Sequence, residues 1–527
     1  MTVEFGDCVA ARERAVRSVR IGTLGGALSC AWLVLAGTAQ ASPLFELMGD
    51  ATGDGGLVAR HAGPGAASTY FNPALLPRAQ ERLEVGVLVL RDGIDVDVAA
   101  RTDRNTLVSP EAAGAFHGNG ALAPVYPPPI PTRWLQKGCA KDCEQALVDD
   151  PVTARPRQRA EAHDDPIAYL GFGLVNQLID DKLVFGLYLL VPLSELTRAT
   201  SFYNDEREQY FSNTLYPELY SDRLEATSVA FGFGSRPLER LSLGVSFTLT
   251  FNNRAESPTF VPDASRYEEL LIRNDVHADQ SIAPHFGVAV EPVDDLLLTA
   301  TLHTRQALSI KTGFSSFLPD GSEQHATRRF THHDQPWSAA LGAEYRLKFQ
   351  PWHALGLVAG ATFTNWSAYH DRHDEAPSGA YRWSDTVTPS IGVRHTWGRT
   401  DALLDASWVT SPVPTQSGRT NYVDTDRLAL AGGVQYGFTL WGTDLRAGLH
   451  ARVDRLVPRT DDKRVPPKGY TGDDLVRDEV PDDAVRKTET DVAVDPRDGL
   501  QTNNPGYPGF SIEGWLLAGS ASLALLF

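Results

Sequence analysis

Stretches of alternating apolar and polar residues recur along most of this 527-residue chain, joined in turn by very short and by long connections. The six short connections fall at residues 179–182, 237–240, 292–295, 348–353, 398–401 and 441–444. Seven long, polar ones alternate with them, at about 99–165, 195–221, 253–274, 311–325, 370–383, 411–423 and 455–508. Because a period of two is typical of a β-strand with two different faces, this arrangement predicts fourteen antiparallel strands. An even strand number, with short turns on one side and long loops on the other, is what a transmembrane β-barrel requires.

The alternation also predicts which side chains face outward. In residues 445–453 every odd position is apolar, and the even positions are glycine, histidine or arginine. Leu298 and Leu302 likewise alternate with Thr299 and His303. A soluble β-sandwich would alternate as well, so the preference for a membrane barrel depends on the one-sided short turns and on the two ends of the chain.

The first 41 residues have the organisation of a secretory signal peptide. Four arginines between Arg12 and Arg20 precede an apolar stretch from Ile21 to Ala36, and small residues follow at the positions that signal peptidase reads. A lipoprotein signal with Cys30 as acceptor is an alternative, but it would leave apolar residues 31–36 beyond the cleavage site. We therefore predict that residues 1–41 are removed on export to the bacterial outer membrane.

The formal net charge of −18 argues against nucleic-acid binding, which needs a basic face.

The final strand is predicted from about Phe510 to the carboxyl terminus, with Trp515, Leu517 and the terminal Phe527 on one face. Lipid tolerates no unpaired sheet edge, so this strand must pair with the first one. We expect Phe527 to be recognised by the barrel assembly machinery, outer-membrane lipid and lipopolysaccharide to surround the wall, and the chain to be a monomer. A soluble protein that happens to end in a strand is the alternative.

Two cysteines, Cys139 and Cys143, remain in the predicted mature chain and lie in the first long loop. In an exported protein such a close pair favours a local disulfide, with free thiols or a metal site as alternatives. No histidine stands beside them at ligand spacing, and structural zinc needs four donors, so we predict no metal and no other cofactor.

The chain also lacks the sequence motifs of serine hydrolases, phosphate-binding loops and zinc proteases, which predicts that it is not an enzyme.

Residues 42–80 lack strand alternation and are rich in glycine and alanine. A fourteen-stranded cylinder is wide enough to hold a plug, so we predict that this segment lies inside the barrel formed by residues 81–527. The segment contains Ala-Ser-Thr-x-x-Asn-Pro-Ala from Ala67 to Ala74. Together with the signal peptide, the strand number and Phe527, it resembles the hatch of the outer-membrane long-chain fatty acid and hydrophobic-compound transporter family (FadL/TodX-type). The turn from Pro237 to Gly244 is similar to that family's hairpins, whereas the very long loop 99–165 departs from its pattern.

The resemblance implies uptake of hydrophobic molecules, above all long-chain fatty acids, by loop capture, lumenal binding, hatch movement and lateral release through the wall. It also implies a set of hatch or gating residues: Gly65, Ser68, Asn72, Pro73 and Ala74. Pro192 cannot donate a hydrogen bond to a sheet, and proline there marks an edge, a strand end or a bulge. We predict a kink at Pro192 as the lateral opening, with simple termination of the strand as the alternative.

A fatty carboxylate would need a cation in the lumen. The alternation predicts six inward-facing candidates: His303, Arg305, Arg394, Arg446, His450 and Arg452. A charge-assisted hydrogen bond from one of them could orient the head group. The alternative is that these cations pair with carboxylates of the hatch, such as Asp50 or Asp54.

Two other functions fit the same architecture. A general porin for polar solutes would have an open lumen without a plug. A surface adhesin or receptor would depend on the long loops at about 99–165, 195–221, 253–274 and 455–508.

Overall fold

The computed structural model describes residues 43–98, 166–179, 182–193, 227–251, 271–278, 281–317, 323–371, 376–377, 379–416, 422–463 and 509–527. The predicted signal peptide and the cysteine pair Cys139 and Cys143 lie outside the described residues. Within the described ranges, no helix is long and apolar enough to span a bilayer.

Three short helices precede the first strand, and two more lie between β12 and β13; the other described elements are strands. The helices are α1 (Pro43–Met48), α2 (Ser68–Phe71) and the 3-10 helices η1 (Pro73–Arg78), η2 (Trp366–Ala368) and η3 (Gly379–Tyr381). The first strands are β1 (Arg82–Val98), β2 (Ile167–Ile179), β3 (Leu183–Pro192), β4 (Thr227–Leu238), β5 (Leu241–Phe251), β6 (Leu271–Ala278), β7 (Ser281–Val293) and β8 (Leu296–His303). The others are β9 (Gln306–Phe317), β10 (Glu323–Gln335), β11 (Ser338–Gln350), β12 (His353–Thr364), β13 (Thr386–Trp397), β14 (Thr400–Val409), β15 (Arg427–Leu440), β16 (Thr443–Asp462) and β17 (Gly509–Leu526).

Fourteen of these strands close into one antiparallel barrel, in the order β1-β17-β16-β15-β14-β13-β12-β11-β8-β7-β5-β4-β3-β2. The last strand pairs with the first over the whole length of β1, from Arg82 opposite Leu526 to Val98 opposite Phe510. This pairing leaves neither strand with a free edge along their contact, as lipid requires. The all-β, fourteen-stranded antiparallel barrel predicted from the sequence is confirmed.

Three described strands lie outside the barrel. They form a separate sheet in the order β10-β9-β6. The sequence predicted that the strands flanking loops 253–274 and 311–325 continue in the wall, and this is wrong: β8 ends at His303, and β9 and β10 form a hairpin before β11 begins at Ser338. Alternation with a period of two is the same in a barrel wall and in a sheet formed by loops, so the pattern could not distinguish them.

Exposure alternates along wall strands such as β8 and β16, as the sequence predicted. On β8, Leu298 and Leu302 are 43% and 42% exposed, whereas Thr299 and Thr301 are 4% and 6% exposed. On β16 the outward-facing Leu449 is 68% exposed. The wall therefore presents apolar side chains outward, which suits contact with hydrocarbon.

At the long-loop end, two connections pack on each other and form a small apolar cluster. The rings of Tyr369 and Trp383 stack with centroids 3.9 Å apart. Tyr422, from the connection between β14 and β15, packs edge-on against Trp383 and donates a hydrogen bond of 2.9 Å to Asp371. This part of the outer mouth is therefore a folded structure.

Candidate functional site: the hatch and the lumenal cleft

The described part of the hatch, residues 43–80, lies inside the barrel. It contacts inward-facing side chains in several sectors of the wall, because hydrogen bonds join Leu57 to Asp405 on β14, His61 to Thr299 on β8, and Thr52 to Ser522 on β17. These three strands are far apart in the order of the barrel. A segment that touches all of them must occupy the bore.

Glycines on the inner wall allow the hatch backbone to approach closely. A Cβ atom on Gly244 of β5 would overlap the backbone of Pro73, and one on Gly287 of β7 would overlap the side-chain oxygen of Asn72. Strand glycines with this role were missed in the sequence analysis. Glycine inside a strand often marks a close approach by another backbone, and this signal could have identified them.

The five residues predicted to act in hatch gating lie in one buried segment, which contains α2 and the start of η1: Gly65, Ser68, Asn72, Pro73 and Ala74. Asn72 connects its two helices: its side-chain amide donates to the Arg60 carbonyl at 2.9 Å, and its side-chain oxygen accepts from the Ala74 amide at 3.1 Å. Pro73 is the first residue of η1, a position where the missing N–H costs little. Ser68 accepts a hydrogen bond of 3.1 Å from the Gly65 amide. The sequence signature is therefore the segment that fixes the hatch's own shape, and its role in gating stays a prediction.

A buried charged cluster joins α1 to the rest of the hatch and to the wall. The Nη2 atom of Arg60 donates to both carboxylate oxygens of Glu46, at 2.5 and 2.7 Å, and the Tyr70 hydroxyl donates to the same carboxylate. On β8, His303 lies 3.5 Å from Glu46 through Nδ1 and 3.2 Å from the Phe71 carbonyl through Nε2. His303, one of the six predicted lumenal cations, thus contacts a carboxylate of the hatch.

The cluster continues along the wall through a second histidine. The ring of His285 on β7 lies 4.1 Å from that of His303, measured between centroids, and its Nε2 is 2.7 Å from the Thr248 hydroxyl on β5. The Tyr70 ring packs edge-on against both histidines. One side of the hatch is therefore attached to β7 and β8 by a mixed aromatic and polar contact, and His285 extends this contact to β5.

Two hatch groups have shifted pKa values with identifiable causes. Burial by itself would raise the pKa of Glu46, but the charge of Arg60, the neighbouring His303 and the hydrogen bond from Tyr70 outweigh burial and hold this pKa well below its usual range. Burial lowers the pKa of His61 to about 4, and the nearby positive charge of Arg60 acts in the same direction. The seated hatch therefore favours an ionised Glu46 and a neutral His61.

We expect the hatch to loosen as the pH falls below about 6.5, the ordinary pKa of histidine. The seated hatch keeps His61 neutral down to a pKa of about 4, so its contribution to seating is complete above pH 6.5 and is lost progressively as the pH falls toward 4. Glu46 acts with the same sign, because its lowered pKa contributes stability that is lost in acid.

Hydrogen exchange of residues 43–80 between about pH 7.5 and 4.5 measures this change, and exchange of the barrel strands serves as the reference. His61→Gln should reduce the loss between pH 6.5 and 4 by the part that His61 contributes, and a variant that keeps the wild-type profile would contradict the assignment to His61.

A second set of ion pairs attaches the loop at residues 53–57 to β13, β14 and β16. Arg394 donates to Asp405 at 2.5 and 3.1 Å and to the Gly55 carbonyl at 2.6 Å. Arg446 lies 3.4 Å from Asp54 of the hatch and 3.3 Å from Asp401. Both arginines were predicted to face the lumen, and each already has carboxylate partners within the protein.

A cleft remains between the hatch and the wall formed by β14 to β17 and β1. Its enclosed volume is about 20 Å³, room for about one water molecule, and it opens to solvent. The hatch contributes Met48, Asp50, Ala51 and Gly56, and the wall contributes Leu88, Leu403, Ala431, Gly432, His450, Ala451, Arg452, Ala518, Gly519 and Ser520. A mostly apolar lining with a few polar groups is the usual composition of a small-molecule site.

Arg305 and Pro192 lie at the long-loop end of the barrel. β8 ends at His303, two residues before Arg305, so strand alternation does not predict the orientation of Arg305. The Arg305 side chain donates to the buried Asp334 at 2.8 and 3.0 Å. Pro192 is the last residue of β3, and the ladder between β2 and β3 runs without a register shift from Gln177 to the pair of Tyr169 and Pro192. The observed position of Pro192 is thus the strand end that the sequence left as the alternative.

Among the residues with described positions, no group of three or more histidine, cysteine, aspartate or glutamate side chains could hold a metal ion.

No protein-family model and no curated protein matches this chain. Among solved structures, it is similar to a FadL homologue of Pseudomonas aeruginosa, with 13% identity, coverage of 93% of this chain and 98% of that one, and a TM-score of 0.48. It is also similar to the toluene transporter TodX of P. putida, with 13% identity, coverage of 93% and 99%, and a TM-score of 0.45. The toluene transporter TbuX of Ralstonia pickettii gives 11% identity, coverage of 93% and 99%, and a TM-score of 0.40.

Proposed function

We propose that this chain is an outer-membrane transporter of hydrophobic molecules, of the FadL/TodX type that its sequence resembles. The observation that supports this most is the hatch, which lies in the bore and is bonded to strands in several sectors of the wall. A porin for polar solutes needs an open lumen, and bonds from one segment to several sectors of the wall favour a filled one. A hatch of this kind suits a carrier whose cargo passes when the hatch shifts.

The cleft supports an apolar cargo. Much of its lining is aliphatic or small, with Met48 on the hatch facing Leu88 and Leu403 on the wall. Because the hatch forms one side of the cleft, a shift of residues 48–56 away from β16 would widen it. Hatch movement and cargo binding are thereby coupled in a single site.

Lateral release into the membrane is the energetically reasonable exit for such a cargo. An apolar chain gains about 0.8 kcal/mol for each buried CH₂, so transfer from the cleft into lipid avoids a loss that exit into water would impose. The ladder between β3 and β4 ends at Leu190, two residues before Pro192. We place the lateral opening at the outer ends of these two strands, near Pro192, as a prediction.

Long-chain fatty acids, which the sequence resemblance implies, and uncharged hydrocarbons are the two classes of cargo to test. We further propose that Phe527, half exposed at the short-turn end, is recognised by the barrel assembly machinery. In this proposal the apolar wall contacts outer-membrane lipid and lipopolysaccharide, and the protein acts as a monomer.

The proposed function is tested by two measurements on the full chain. In planar bilayers the protein should show no steady ion conductance, because the hatch occupies the bore, and deletion of residues 43–80 should open a pore. In cells that lack their own transporters for apolar compounds, its expression should increase the uptake of radiolabelled oleate or naphthalene. Steady conductance of the intact chain, without increased uptake of either compound, would favour the porin.

A further inference from the structure

We infer that the lumenal cleft selects uncharged hydrophobic molecules over molecules that carry a carboxylate. This inference rests on the proposed function and concerns the class of cargo. It follows from the ionisable groups that line the cleft, which are Asp50, His450 and Arg452.

Arg452 cannot offer its charge to a cargo without breaking an existing ion pair. Its guanidinium makes two parallel hydrogen bonds to Asp454, at 2.6 and 2.7 Å, and Asp454 is fully buried. Arg427 also lies 3.2 Å from this carboxylate. A cargo carboxylate that took Arg452 would deprive a buried anion of its two-point partner, which is strongly unfavourable.

The other two groups do not supply a free positive charge either. The carboxylate oxygens of Asp50 accept hydrogen bonds from the Gly53 and Gly55 amides, at 2.8 and 2.9 Å. A carboxyl group is negative or neutral, so Asp50 cannot supply a positive charge, and burial raises its pKa. Neither ring nitrogen of His450 has a hydrogen-bond partner among the described residues, but the negative charges of Asp50 and Asp54 act on this ring, so a protonated His450 would already face two carboxylates of the hatch.

The remaining predicted lumenal cations are occupied in the same way. Arg394 is bound to Asp405, Arg446 to Asp54 and Asp401, Arg305 to Asp334, and His303 lies beside Glu46. The sequence left open whether these cations bind a cargo head group or carboxylates of the protein, and in the described residues they contact carboxylates of the protein. What the cleft offers a cargo is therefore apolar surface without an uncompensated positive charge.

The test compares two probes of the same shape and different charge, 2-naphthamide and 2-naphthoate, together with naphthalene. Carboxylic acids of this kind are ionised at neutral pH. Radiolabelled probe retained by the protein in lipid nanodiscs is measured at about pH 7.5, and retention by empty nanodiscs is subtracted. We expect naphthalene and 2-naphthamide to bind, and 2-naphthoate to bind at least about tenfold more weakly than 2-naphthamide, a difference of about 1.4 kcal/mol.

Asp454→Asn tests the cause. Removing this negative charge should make Arg452 available and raise the affinity for 2-naphthoate, relative to 2-naphthamide, by about tenfold. Asp444→Asn is the matched control, because Asp444 lies on the same strand at the exposed short-turn end, where it accepts a hydrogen bond from Thr439. This control should leave the ratio at its wild-type value.

The outcomes separate this inference from the proposed function. If wild-type protein binds naphthalene but holds 2-naphthoate as tightly as 2-naphthamide, or more tightly, the inference is overturned and the proposed function stands. If no probe is retained above empty nanodiscs, the inference is overturned, and the uptake of oleate then decides whether the proposed function stands. The wild-type comparison needs no substituted protein, so it decides the question even if Asp454→Asn does not fold.

Discussion

A disulfide between the hatch and β1 is expected to abolish uptake of apolar cargo, and its reduction to restore uptake. Thr52 of the hatch is buried against Gly86 of β1, and a Cβ atom on Gly86 would lie 3.4 Å from the Thr52 Cβ. Disulfides join Cβ atoms about 3.5 to 4.5 Å apart, so a small movement of Thr52 away from β1 would bring Thr52→Cys and Gly86→Cys into bonding range. The bond would prevent residues around Thr52 from moving away from the wall, and we expect uptake to fall at least about tenfold.

The matched controls for this experiment are Thr52→Cys alone and Gly86→Cys combined with Thr52→Ser, because serine lacks the methyl group that a Cβ on Gly86 would approach to 2.9 Å. Each control has one added cysteine and should transport before and after addition of reductant. Mass spectrometry of tryptic peptides measures how completely the double variant is oxidised. Wild-type uptake by a fully cross-linked protein would show that cargo passes without movement of this part of the hatch, and the hatch mechanism would then be abandoned.

Arg60→Met is expected to unseat the hatch while the barrel stays closed. The side chains of Arg60 and Glu46 are 7% and 23% exposed, and removal of one partner from a buried ion pair typically costs about 3–5 kcal/mol, because the other charge is left without compensation. The substitution should therefore speed proteolysis and hydrogen exchange of residues 43–80. In planar bilayers it should produce a leak conductance that wild-type protein lacks.

Arg240→Met is the matched control, since Arg240 pairs with Asp294 where both side chains are largely exposed, 57% and 89%. Such surface pairs contribute about 0–1 kcal/mol, so this variant should behave as wild type. Adding Glu46→Gln to Arg60→Met removes the uncompensated anion and should recover part of the seating. Equal hatch exchange in Arg60→Met and Arg240→Met would show that the Glu46 pair does not hold the hatch.

The wall was largely predictable because its information is local. On β8 the alternation of Leu298 and Leu302 with Thr299 and Thr301 predicts the observed exposures one residue at a time. The prediction failed where the same pattern continues beyond the wall, at β6, β9 and β10, because alternation reports two faces of a strand and not the identity of its neighbours. Arg305 shows the same limit, since it lies two residues beyond the end of β8.

The hatch was predictable as a segment but not as a set of contacts. Its composition and the Asn-Pro-Ala turn predicted a non-strand plug, and Asn72 does connect the two short helices. Glu46 and Arg60 were missed, because nothing in their local sequence shows that they meet each other and His303 in a buried cluster.

The sequence by itself determined the number of wall strands, the outward and inward faces of strands such as β8 and β16, and the absence of strand alternation in residues 42–80. These properties follow from the two-residue repeat and from local composition. Only the tertiary structure decided which charges compensate one another. Closure of the barrel brings Leu57 to Asp405, 348 positions away, and Arg446 to Asp54, 392 positions away. No local pattern records such distant pairing, so the charge that the lumen offers to a cargo could be obtained only from the folded chain.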